Sequence, residues 1–125
     1  MDFRVSTQPT IYGENIVLRV LDREKSIISL DRMDLPDYVT DKLALMLARP
    51  EGILIVTGPT GSGKTTTLAA MLSDVNRTHA RHVITIEDPI EYEHPHKLSV
   101  VEQVEVGVDT PDFPTALRAA LRQAP

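Results

Sequence analysis

Residues 58–67 read GPTGSGKTTT, bringing together three glycines, a lysine and a run of hydroxyls. Gly58, Gly63, Lys64 and Thr65 meet the spacing G-x-x-x-x-G-K-[S/T], with Gly61 inside it, a turn built to hold a polyphosphate. In such a turn the backbone N–H groups of the loop, and of the helix it opens, converge where positive partial charge collects. Glycine is needed because a side chain would block that approach. Lys64 is expected to reach the β- and γ-phosphates of a nucleotide, and the Thr65 hydroxyl to help hold Mg²⁺. Pro59, Thr60, Ser62 and Thr66 complete the expected nucleotide-binding stretch.

Hydrolysis asks for more: an acid at the tip of a neighbouring strand, a group to orient or activate water, and an arginine for the charge that develops on the γ-phosphoryl group. VITIED (83–88) is an apolar run ending in Glu87 and Asp88. By pattern it would pass for a metal-holding acid segment, and equally for two charges capping a strand at the surface. His94 and His96 lie in EHPH beside Glu93. A loop spacing with no convincing third ligand is weak for a metal, so both are read as surface residues without a role.

These groups need elements to carry them. ILIVT (53–57) is a continuous apolar, β-branched run directly before the turn, as expected of a strand buried on both faces of a parallel sheet. KTTTLAAMLSDVNR, from Lys64, has helical periodicity, with Leu68, Met71, Leu72 and Val75 on one face. VITI is expected to be a second buried strand, completing a right-handed βαβ unit. Upstream, FRVS (3–6) and NIVLRVL (15–21) read as two paired strands around a QPTIYGE loop. A polar linker follows, then a helix closed off at its start by Pro36, with Val39, Leu43, Met46 and Leu47 in phase. Tyr38, Met46 and Met71 are read as core. Beyond Pro89 come short extended pieces, KLSVV and QVEVGV. A last helix is expected with Asp112 as cap, Pro114 in the first turn and Leu117, Ala120 and Leu121 as an apolar stripe.

Composition bounds the rest. With 125 residues, 42% of them hydrophobic, the chain is one domain or less. A net charge of -5 gives no basic field for phosphate backbones, so nucleic acid is not expected as a partner. No cysteine is present, which removes disulfides and thiolate metal sites. No apolar run approaches the roughly 18 residues of a membrane span, and MDFR is no signal peptide. A cytoplasmic protein is the expectation.

Three stretches, RVSTQPTIYGENIVLRVLD, GPTGSGKTTTLAAM and ITIEDPIEY, resemble in this order the secretion motor ATPase family of type II secretion and type IV pilus systems. TALRAALRQAP resembles the segment that precedes Walker B in that family. The resemblance implies an α/β fold, a P-loop NTPase with a partial RecA-like core preceded by a β-strand pair from the N-terminal domain. By it, residues 1–22 are the strand pair, 23–35 a linker, and 36–125 the partial ATPase domain with Walker A and Asp box. It implies ATP and Mg²⁺ as cofactors, and a homo-oligomer, a hexameric ring. Inner-membrane platform and adaptor proteins are the implied partners, with a cytoplasmic location peripheral at the inner membrane. Glu87 becomes the implied general base, with Lys64 as its catalytic companion. Arg4 and Arg19 match arginines that reach the nucleotide across a subunit boundary. Arg118 and Arg122 match a pair before Walker B, and their four-residue spacing puts them on one helical face.

The family continues into a Walker B strand and a His box, which do not occur in this sequence. The reading is a piece of a motor, cut at both ends, whose Walker A strand lies near an unpaired edge with wet apolar surface. The function expected is the ATP-binding portion of a motor coupling ATP hydrolysis to protein export or pilus assembly, with the isolated chain inactive. The alternative is a non-catalytic nucleotide-binding or subunit-docking module. A small GTPase or nucleotide kinase shares the loop, but no N/T-K-x-D motif is found. Cargo and direction of transport stay open.

Overall fold

The computed structural model describes residues 2–21, 27–50 and 52–123. Met1, residues 22–26, Glu51 and residues 124–125 lie outside the described residues, and with them most of the first half of the expected linker.

Strands β1 (Asp2–Thr10) and β2 (Gly13–Leu21) form an antiparallel hairpin. It is longer than QPTIYGE suggests. The Thr10 hydroxyl donates to the Gly13 carbonyl at 2.8 Å and accepts from the Tyr12 amide at 3.3 Å. Gly13 takes φ 119°, which a side chain would disfavour. The turn therefore shrinks to Ile11 and Tyr12, and Gln8 and Pro9 join the ladder. A two-stranded ribbon leaves Pro9 an edge where its missing N–H is harmless.

A short 3₁₀ turn, Leu30–Arg32, leads to helix α1 (Asp37–Leu47). Leu30 packs with Ala70 and Met71, and Met33, Leu43 and Leu47 close over them. Burying Leu30 and Met71 contributes about 1.5–3 kcal/mol each. Tyr38 and Met46, expected in the core, are instead 65% and 46% exposed. The cluster is small enough that the Leu43–Leu47 stripe covers it, and Tyr38 lies off that stripe, its ring 6.0 Å from the Lys42 ammonium.

Helix α2 (Lys64–Thr78) starts directly at the glycine-rich turn, as expected. Its inner face is set by Ala69, Ala70 and Met71, whereas Leu68 is exposed. The expected strand at 53–57 is not formed. Ile53 and Ile55 are 92% and 76% exposed, and the segment joins no ladder among the described residues. A strand needs a neighbour to take its N–H and C=O groups, and no described strand pairs with it. The expected βαβ unit is therefore absent as a hydrogen-bonded pair.

The parallel pair is made elsewhere. Strand β3 (His82–Glu87) lies beside β4 (Val100–Glu105), in register from His82 opposite Val100 to Glu87 opposite Glu105. Helix α3 (Phe113–Ala120) packs against β3. The Asp112 carboxylate accepts from the Thr115 amide at 2.7 Å, so the expected cap is formed. Ala116 and Ala120 are buried, while Leu117 and Leu121 are exposed. Close approach to the sheet selects the small side chains, and the leucines of the expected stripe fall on the flank.

Candidate functional site

Local geometry explains the glycines of the loop. Gly61 and Gly63 have φ of 81° and 87°, and Gly63 is the residue from which α2 starts. Gly58 answers to a different constraint: a Cβ there would lie 2.6 Å from the Ser62 hydroxyl oxygen. The Lys64 ammonium donates to the carbonyls of Gly58 at 2.6 Å and Pro59 at 2.8 Å, so it lies back across the loop. The first helical N–H groups after Gly63 have no intrahelical acceptor by construction, and no side chain among the described residues caps them. A cation, open backbone donors and a helix N-terminus thus share one concave turn, the chemistry that suits a phosphate chain.

Below the turn, a cleft of about 490 Å³ separates the start of α2 from the end of β3 and the loop after it. Thr65, Leu68 and Leu72 line one wall, and Glu87, Asp88, Tyr92 and His94 the other. Thr65 and Glu87, predicted as separate parts of one site, therefore share a cavity. The Thr66 hydroxyl and the Tyr92 phenol, 3.3 Å apart, join the two walls.

The Glu87 carboxylate is held from two sides. Thr85 donates to its Oε1 at 2.7 Å, and the Gln103 amide donates to the same oxygen at 3.0 Å. The Gln103 amide also donates to the Tyr92 carbonyl at 2.8 Å and accepts from the His94 amide at 2.8 Å. The loop is anchored again further on. Asn76, 1% exposed, donates to the Pro95 carbonyl at 2.7 Å and accepts from the Lys97 amide at 3.2 Å.

His94 contradicts its reading as a surface residue, being only 9% exposed. Anchoring of the loop on Gln103 and Asn76 turns it inward. Burial pushes its pKa below the ordinary histidine value, partly opposed by attraction to Glu87 and reinforced by Lys97. His96 is exposed, and its Nδ1 accepts from the Val101 amide at 3.0 Å. Sequence reasoning missed His94, Tyr92 and Gln103. The available signal was in β4, where Gln103 falls on the same face as buried Val101, so that a polar group had to be satisfied inside.

The arginines stand apart. Arg4 and Arg19 are exposed on the hairpin, directly opposite one another. Arg118 is exposed on α3, and Arg122 lies just past its end, its amide donating to the Ala119 carbonyl. None of the four is among the residues lining the cleft.

A family model described as "Type II/IV secretion system protein" matches residues 1–125. The chain belongs to this family. Type II secretion system protein E of Xanthomonas campestris pv. campestris is 41% identical over 125 residues, which are all of this chain and 21% of that protein. The type IV pilus ATPase PilU of Pseudomonas aeruginosa is 47% identical over 124 residues, 98% of this chain and 31% of that one. The crystal structure of the pilus retraction motor PilT with bound ADP matches with a TM-score of 0.83 at 47% identity, covering 98% of this chain and 34% of that one. The chain therefore spans between a fifth and about a third of the length of these family members. Likeness at this level gives it their fold: a partial RecA-like core of the P-loop type, preceded by a strand pair. No helix among the described residues is long and apolar enough to cross a membrane.

Proposed function

We propose that this chain is the ATP-binding portion of a hexameric motor ATPase that couples ATP hydrolysis to protein export or pilus assembly. The observation that carries the reading is the placement of Thr65 and Glu87 on opposite walls of one cleft, at the foot of the turn where Lys64 lies. Membership of a secretion-system family, and a relative seen with ADP, support it.

In this reading the loop amides of 58–66 bind the phosphate chain, and Lys64 leaves the Gly58 and Pro59 carbonyls for the β- and γ-phosphates. The donor set fits Mg²⁺, since the Thr65 hydroxyl and the carboxylates of Glu87 and Asp88 line the same cavity. Bound there, Mg²⁺ would neutralise phosphate charge, with Thr65 as its holder. Glu87 takes the proton of the water that attacks the γ-phosphorus, as the bond to the bridging oxygen breaks and ADP leaves with that electron pair. Arg4, Arg19, Arg118 and Arg122 come to the developing charge from neighbouring subunits and from the moving part of the same one. Platform and adaptor proteins hold the ring at the cytoplasmic side of the inner membrane.

A second reading is favoured by one observation: the four arginines are absent from the lining of the cleft. The chain alone would then bind nucleotide, or dock on another subunit, without turning it over. ATP turnover by the assembled motor that carries this segment, beside Lys64→Ala and Glu87→Gln within it, separates the two. Turnover lost in both variants supports the motor reading. Nucleotide binding without any turnover supports the binding module, and a preference for guanine over adenine nucleotides would contradict both.

A further inference from the structure

We propose that Gln103 is a positioning residue for Glu87, setting which carboxylate oxygen is left to take a proton. The proposal rests on the reading of Glu87 as proton acceptor.

Three contacts fix the Gln103 side chain without ambiguity. The Glu87 carboxylate and the Tyr92 carbonyl can only accept, and the His94 amide can only donate, so the amide nitrogen must face the first two and the oxygen the third. Both N–H groups of the amide are thereby used. Thr85, on β3 two residues before Glu87, donates to the same carboxylate oxygen. Oε1 thus receives donors from both strands, while Oε2 has none among the described residues. A carboxylate pinned at one oxygen cannot rotate freely, and Oε2 keeps its lone pairs for a proton. Because the same amide holds Tyr92 and His94, the rest of the cleft wall that carries Glu87 is set by the side chain that sets the base. Packing alone would not require this. A methionine at 103 would fill comparable space on that face of the sheet but would take a donor from Glu87 and the shared partner from the Tyr92 carbonyl and the His94 amide.

Two measurements test the proposal. The first follows the two Gln103 side-chain amide protons by ¹H–¹⁵N NMR in the chain and in Glu87→Ala, which leaves Gln103 untouched. One proton is expected to move and lose protection from exchange while its partner, on Tyr92, stays. If neither moves, the proposal is overturned. The second compares turnover at saturating ATP with ATP affinity in the assembled motor that carries this segment, with Gln103→Met and Gln103→Glu in turn, and melting curves to show that each folds. Turnover is expected to fall about 10- to 100-fold in Gln103→Met with affinity held within about twofold. It should fall further in Gln103→Glu, which keeps the acceptor for His94 but sets a like charge against Glu87. A purely structural role would make the glutamate the milder change. Gln103→Met with turnover intact, where Glu87→Gln loses it, overturns the Gln103 proposal alone. Turnover intact in Glu87→Gln overturns the base reading and the proposal with it, even if the NMR contact is present.

Discussion

Arg4 and Arg19 occupy directly opposed positions on the β1–β2 ladder, so their side chains leave the ribbon on the same face. Two like charges in that register repel, at a cost of about 0.2–1 kcal/mol. Replacing either with glutamine is expected to raise the thermal midpoint slightly at low salt, the gain shrinking as salt is added. Melting curves at two ionic strengths check this, and a salt-independent loss of stability would count against it.

Gly58 is expected to tolerate no side chain. Alanine there would put its Cβ 2.6 Å from the Ser62 hydroxyl oxygen, which must swing away, and 3.3 Å from the Ser62 Cβ, at a cost of about 1–3 kcal/mol. Nucleotide affinity in Gly58→Ala should fall, and adding Ser62→Ala should recover part of it, since that removes the nearer of the two clashing atoms. Calorimetric titration of the single and double variants provides the comparison. No recovery would mean that the glycine serves backbone freedom alone.

Asn76→Leu removes a buried amide that holds both the Pro95 carbonyl and the Lys97 amide. The stranded loop groups should cost about 2–4 kcal/mol in unfolding free energy. Denaturant unfolding reads this directly, and a change under about 0.5 kcal/mol would show that the loop re-pairs with solvent.

Burial lowers the pKa of His94, so the unfolded chain takes up its proton at a higher pH than the folded one. Stability from this group is fully present above the ordinary histidine value and declines as pH falls from there toward the lower folded value. His94→Gln should flatten that part of the stability curve. The neighbours that bear on it are Glu87 at the end of β3 and Lys97 in its own loop, so Glu87→Gln should move the His94 titration further down. Histidine ring NMR through pH 4–8 checks both; an unmoved titration would remove Glu87 from its surroundings.

What was legible in the sequence followed local chemistry. The turn before α2, the Asp112 cap and the β3 strand depend on spacing and on near neighbours, and each is where the pattern put it. The 53–57 strand was misread because apolar, β-branched composition reports that a segment suits a sheet, not that a partner is at hand. Leu117 and Leu121 were misplaced because periodicity gives a helix's apolar side but not which of two adjacent rows meets the sheet. His94 needed knowledge of Gln103 and Asn76, respectively nine and 18 residues away, and no local pattern carries that.

The measurement that bears most directly on the whole account is ADP and ATP affinity of the purified chain beside Lys64→Ala. The account predicts binding by the chain and a loss of about 10- to 100-fold without the ammonium, as for a charge-assisted contact to phosphate. Equal affinity in both proteins, or none in either, would contradict the claim that residues 58–66 grip the phosphates of a nucleotide.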